Sequence, residues 1–164
     1  LDGIETSDRP VAITHSACES VFDHDRAKSD EEIKALAEAD GYMGIVAVPF
    51  FLTDERDPEL DIFFEHLEHA VDILGIDRVG IGSDFSSIDV GYPEPLKEGA
   101  YEALEEVGFR EEHNVVLGEG FDEFERYEDW SVLREGLEAR FSDEETAKLL
   151  GENFLAFWER AIDG

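Results

Sequence analysis

The chain has 164 residues, enough for about one domain, with 43 Asp plus Glu against 13 Lys plus Arg and a net charge of −30. Apolar residues make up 42% and aromatic residues 11%, enough to build a core despite the charge, which excludes simple disorder. The single Cys forms no internal disulfide. No run reaches the ~18 apolar residues of a membrane span, and no Lys/Arg cluster exists to neutralise nucleic-acid phosphates.

The acidic residues are spread along the chain rather than gathered in a tail. Such a surface repels itself in dilute salt and is screened in concentrated salt, where the Debye length falls to about 3 Å at 1 M. The composition resembles that of proteins from salt-accumulating archaea. The sequence opens at Leu1 with no basic, signal-like leader. The expectation is a fragment or processed product, cytoplasmic in location.

Three continuous apolar runs come in order at 11–15 (Val-Ala-Ile-Thr-His), 43–49 (Met-Gly-Ile-Val-Ala-Val-Pro) and 78–85 (Arg-Val-Gly-Ile-Gly-Ser-Asp-Phe). Continuity rather than alternation suits strands of a parallel sheet buried on both faces. Their spacing, about 30–35 residues, fits βαβ units. Between the first two, Ser29 and Glu32 form a capping-box pattern, Ile33, Leu36 and Ala37 a stripe, and Gly41 a stop. Asp57-Pro58 predicts the start of a second helix, with Ile62, Phe63, Leu67, Ala70, Val71 and Leu74 at helical spacing and Gly75 at its end. Residues 86–130 read as a long acidic and aromatic excursion with a helix over 96–107, and long loops of this kind are usually functional. Ser142 and Glu145 make another capping box, opening a helix through Leu149 and Leu150 that stops at Gly151. The last helix, 153–162, presents Phe154, Phe157, Trp158 and Ala161 as its apolar face.

A complete (β/α)8 barrel takes about 250 residues, and an open three-stranded parallel sheet would leave two bare edges. The pattern therefore predicts an α/β chain that forms the C-terminal part of a TIM-type barrel, as one domain over 1–164. Expressed alone, such a piece is expected to fold poorly. Sites in α/β folds are built at the C-terminal ends of strands. His15 ends the first run, and Asp84 lies at the end of the third. An imidazole there suits a metal ligand, and a carboxylate there suits a proton acceptor or a cation contact.

Several segments resemble one family. They are Pro10-Val11-Ala12-Ile13-Thr14-His15-Ser16, Asp25-Arg26, Ser29-Asp30-Glu31-Glu32-Ile33, Gly41-Tyr42-Met43-Gly44-Ile45-Val46 and His66-Leu67-Glu68-His69-Ala70. Ile76-Asp77-Arg78-Val79-Gly80-Ile81-Gly82-Ser83-Asp84-Phe85 and Leu149-Leu150-Gly151-Glu152-Asn153-Phe154-Leu155 continue the series. In order and spacing they resemble the membrane dipeptidases, peptidase family M19. The resemblance implies a (β/α)8 barrel with a dinuclear zinc site that hydrolyses dipeptides, often with a D-residue on the C-terminal side. It implies His15 as a zinc ligand, Arg26 as a substrate contact and Asp84 as a substrate-facing carboxylate with a catalytic role. The family's His-x-Asp pair, bridging Glu and second His would all precede Leu1, so this polypeptide alone is expected to be inactive. The chain departs from the family at Ser86-Ser87, at Ala27 and at Ala156, and in the length of its excursion.

Other residues receive plainer readings. His66 and His69, three apart on one helix, read as packing groups rather than a metal clamp. His24 and His113 read as solvent-facing, and Cys18 as a buried inert thiol. Gly80-Ile81-Gly82 lacks the third glycine of a dinucleotide fingerprint, so close backbone approach is the better reading. Two alternatives to a zinc dipeptidase are a non-catalytic peptide-binding barrel and a barrel metallohydrolase acting on another amide. Beyond the dipeptide and the missing part of the barrel, a second copy of the chain is a possible partner.

Overall fold

Strands β1 (Ala12–Ser16), β2 (Tyr42–Ile45) and β3 (Val79–Ile81) lie parallel in the order β1-β2-β3 in a computed structural model. The structure describes residues 1–84, 94–106, 109–110, 115, 120–124 and 127–163. The expectations at Phe85, Ser86, Ser87 and His113 lie outside the described residues. Ala12 pairs with Tyr42 and Ile13 with Met43, then Met43 with Val79 and Gly44 with Gly80. The strands sit where the apolar runs predict them, β1 one residue later and β2 and β3 shorter than their runs. Pro49 opens a 3-10 turn, Pro49–Phe51, which ends the second run. Pairing nevertheless continues past the strand ends, since Val46 N–H donates to Ser16 O at 3.0 Å and Gly82 N–H to Ile45 O at 2.9 Å.

A short α1 (Asp2–Thr6) precedes β1. Helices α2 (Asp30–Glu38) and α3 (Asp61–Leu74) carry the crossovers between strands. The Ser29 capping box is formed: Ser29 N–H donates to the Glu32 carboxylate at 3.0 Å and Glu32 N–H to Ser29 Oγ at 3.3 Å. Helix α3 begins later than Asp57-Pro58 predicts. Asp57 has φ +54, a left-handed conformation, whereas an N-cap needs an extended one. Phe63, Phe64, His66, Leu67, Ala70 and Leu74 form the buried face of α3, which packs on α2, β2 and β3. Each buried Phe or Leu stabilises the fold by about 1.5–3 kcal/mol.

After the excursion helix α4 (Glu94–Glu106) come α5 (Trp130–Glu138), α6 (Asp143–Ala147), a wide turn Lys148–Glu152 and α7 (Asn153–Asp163). The second capping box, Ser142 with Glu145, is formed as well. Asn153 is buried and its Nδ2 donates to the carbonyls of Ile76 at 2.6 Å and Val79 at 2.7 Å, tying α7 to the start of β3. The Tyr42 ring lies 5.5 Å from Phe154 and 5.7 Å from Phe157. The predicted apolar face of α7 is only partly buried: Phe157 is inside, whereas Trp158 is 54% exposed. Among the described residues no helix is long and apolar enough to cross a membrane.

Candidate active site

The segments leaving the C-terminal ends of the strands gather at one edge of the sheet, and glycines let them come close. A Cβ at Gly82 would strike the Thr14 carbonyl and lie 3.1 Å from His15 Cα. A Cβ at Gly44 would strike the same carbonyl. The register of β1 shifts between Ile13 and Ser16, so β1 bends over both glycines at this point. The close-approach reading of Gly82 is borne out. It brings the backbone of His15 against the segment that leads to Asp84.

His15 is exposed at this edge, and its Nδ1 shares a hydrogen bond with Thr14 Oγ1 at 2.9 Å. Its Nε2 makes no hydrogen bond among the described residues. Asp84 is exposed too and has φ +55, an uncommon backbone for a non-glycine residue.

Arg26 reaches the same edge through a folded-back loop. Lys28 N–H donates to Ala17 O at 2.8 Å and Glu19 N–H to Lys28 O at 2.9 Å. Ser16 Oγ donates to Arg26 O at 3.0 Å, which hangs Arg26 from the residue after His15. The Arg26 guanidinium lies over two rings, 5.0 Å from the centroid of Phe51 and 5.7 Å from that of Phe109. Among the described residues it forms no ion pair.

His24 is not solvent-facing. It is 5% exposed, with ring centroids of Phe22, Phe51 and Phe109 at 6.1, 5.8 and 5.6 Å. Its Nδ1 accepts from Arg26 N–H at 3.1 Å. The aromatic surroundings, which come from three separate segments, win over its charged sequence neighbours.

His66 underlies both site loops. Its Nδ1 accepts from Cys18 N–H and its Nε2–H donates to Leu52 O, each at 3.0 Å. These bonds fix the neutral tautomer, and burial pushes its pKa from 6.5 down to about 4. His66 therefore clamps the loop after β1 to the loop after β2. The available sequence signal was its place on the stripe of Phe63, Leu67 and Ala70. His69 turns elsewhere, with Nε2 2.8 Å from Asp30 Oδ1. That bond, with one from Ser20, holds the Asp30 carboxyl below its usual range. Cys18 is fully buried and burial pushes its thiol up to about 12, so it stays protonated and inert as the sequence suggests.

Among the described residues no three His, Cys, Asp or Glu side chains converge on a point where a metal ion would sit. A zinc site takes roughly three or four ligands. His15 is one imidazole, so these residues by themselves do not fit a zinc ion. A cavity of about 310 Å³ lies between the sheet and α7, lined by Thr14, Tyr42, Ile81 and Phe154 among others. It touches the site only through Thr14. Tyr42 is its one ionisable lining group, and burial holds that phenol up at about 12. This space offers neither a base nor a ligand.

The family model described as membrane dipeptidase (peptidase family M19) matches residues 1–101. Dipeptidase verJ of Clonostachys rogersoniana is 37% identical over 84 residues, covering 50% of this chain and 21% of that protein. A crystal structure of a metallopeptidase from Rhodobacter sphaeroides, liganded with a phosphinate mimic of the dipeptide L-Ala-D-Ala, superposes with a TM-score of 0.73 at 22% identity. That match covers 98% of this chain and 38% of the other. An amidohydrolase of Pseudomonas aeruginosa gives a TM-score of 0.79 at 24% identity, covering 99% of this chain and 49% of its own. The chain thus spans about a fifth of the curated relative and less than half of these two solved chains. The three-stranded parallel sheet with its helices is consistent with part of the barrel of M19 dipeptidases. With the family model matching more than half of its length, the chain belongs to the membrane dipeptidase family, peptidase family M19.

Proposed function

We propose that the chain is the C-terminal part of a zinc-dependent dipeptidase barrel, contributing His15 as one metal ligand and Arg26 and Asp84 as substrate contacts. The observation that carries the reading is Arg26. In a chain of net charge −30, its guanidinium lies on two rings without a carboxylate partner among the described residues. A planar donor edge in that setting suits the free carboxylate of a dipeptide. Asp84, at the same edge of the sheet, suits the substrate amine or a proton passed to the leaving nitrogen. His15 supplies one imidazole only, so metal chemistry rests on ligands beyond those described, and this polypeptide alone is inactive. The acidic surface fits a salt-rich cytoplasm, where screening removes its self-repulsion.

The test is turnover of a dipeptide panel by the full-length protein and its variants. Asp84→Asn is expected to lower kcat by about 100-fold or more. Arg26→Ala is expected to raise KM by about 10–100-fold, the loss of a charge-assisted contact. Absence of dipeptide turnover by the metal-loaded protein would overturn the reading. Binding without turnover would favour the non-catalytic barrel, and turnover of other amides alone would favour a different hydrolase.

A further inference from the structure

We propose that Phe109 is a specificity-determining residue: with Phe51 it confines the Arg26 guanidinium between two ring faces, so that the site selects substrates ending in a free carboxylate. This inference rests on the assignment of Arg26 to the substrate carboxylate. Phe109 belongs to the stretch read from sequence as an excursion, yet it is buried and its N–H donates to Leu104 O at 2.9 Å, anchoring it to the end of α4. Its ring meets Phe50 at 5.7 Å and 83° and Phe51 at 5.5 Å and 78°, both edge-on arrangements favoured by ring quadrupoles.

The backbone of Arg26 is already fixed. Its N–H donates to His24 Nδ1, and its carbonyl accepts from Ser16 Oγ at 3.0 Å and Lys28 Nζ at 3.3 Å. Those bonds leave the long side chain free to rotate, and ordering it costs entropy when a ligand binds. The two ring faces bear that cost in advance by cation–π attraction, and rings take none of the guanidinium N–H groups that a bidentate acceptor would use. The next residue along the chain, Arg110, lies 3.5 Å from the Asp25 carboxylate. It thereby engages the acid adjacent to Arg26 in sequence. A substrate carboxylate brought to the surface of so acidic a protein depends on such a held cation.

The experiment compares kcat/KM for one dipeptide as free acid and as C-terminal amide, using the full-length protein and the variants Phe109→Leu and Phe109→Tyr. Leu keeps an apolar side chain without a ring, and Tyr keeps the ring. Phe109→Leu is expected to lower the acid-to-amide preference about three- to tenfold through KM, with kcat within about twofold, while Phe109→Tyr stays at the wild-type ratio. In an Arg26→Lys background, which keeps charge but loses the planar bidentate fork, Phe109→Leu is expected to add little further loss. An unchanged ratio in Phe109→Leu, equal losses in Leu and Tyr variants, or full additivity with Arg26→Lys would overturn the proposal while leaving the dipeptidase reading intact. A wild-type protein that turns over no dipeptide removes both. Should Phe109→Leu fold poorly, Phe109→Met supplies the ring-free variant for the same comparison.

Discussion

Helices α3 and α7 are both rich in apolar residues, and they use them differently. In α3 Phe63, Phe64, Leu67, Ala70 and Leu74 are all buried, and Ile62, Val71 and Ile73 are partly so. In α7 Phe154, Phe157 and Trp158 share one face, with Leu155 beside it. Phe157 is buried, while Leu155, Trp158 and Ile162 remain 62%, 54% and 56% exposed. Each helix also buries one polar side chain that binds backbone. His66 on α3 joins the two site loops beyond the strands' C-terminal ends, and Asn153 on α7 holds the start of β3. An apolar count therefore says that a helix has something to bury. What packs against that helix decides how much of it is covered.

Substitutions that separate the two helices should rank accordingly. Phe63→Ala is expected to cost about 3–5 kcal/mol, read as a lowered denaturant midpoint, because the ring is fully buried. A loss under 1 kcal/mol would mean that α3 is not the core element described.

His66 gives the next effect, and it depends on pH. Its pKa is about 4 in the fold against 6.5 in the unfolded chain, so between those values the unfolded chain binds more protons. The stabilisation from the neutral ring is full above pH 6.5 and is lost as pH falls toward 4, by about 3 kcal/mol in total. His66→Gln should flatten that part of the stability profile, and an unchanged slope would remove His66 as the titrating group.

Trp158→Ala should be the mildest, within about 0.5 kcal/mol, as for most exposed positions. A cost of several kcal/mol in the full-length protein would show that other chain covers this face. Repeating the melts in dilute and molar salt tests the charge argument, since equal stability in both would contradict it.

Much of the frame was legible in the sequence. Continuous apolar runs marked the strands, and both capping boxes formed as their Ser and Glu spacing predicts. Local rules failed where tertiary contacts decide. The α3 start moved because Asp57 is left-handed, and His24 went inside because rings from 22, 51 and 109 close around it. His15 and Asp84 are picked out by the rule that strand ends carry function, and both lie near the C-terminal ends of β1 and β3. The platform under Arg26 could not be read this way, because Phe51 and Phe109 meet it only through folding. The His66 clamp was hidden for a similar reason: its partners are backbone groups, which no side-chain pattern reports.

Cys18 is the chain's single cysteine, and its backbone N–H is one of the two groups that His66 holds. With the thiol fully covered and its pKa pushed up to about 12, an alkylating reagent reacts with it only when the clamp opens. The labelling rate of one natural sulfur atom thus becomes a clock for the breathing of the loop that presents Arg26, readable by mass spectrometry without introducing a probe.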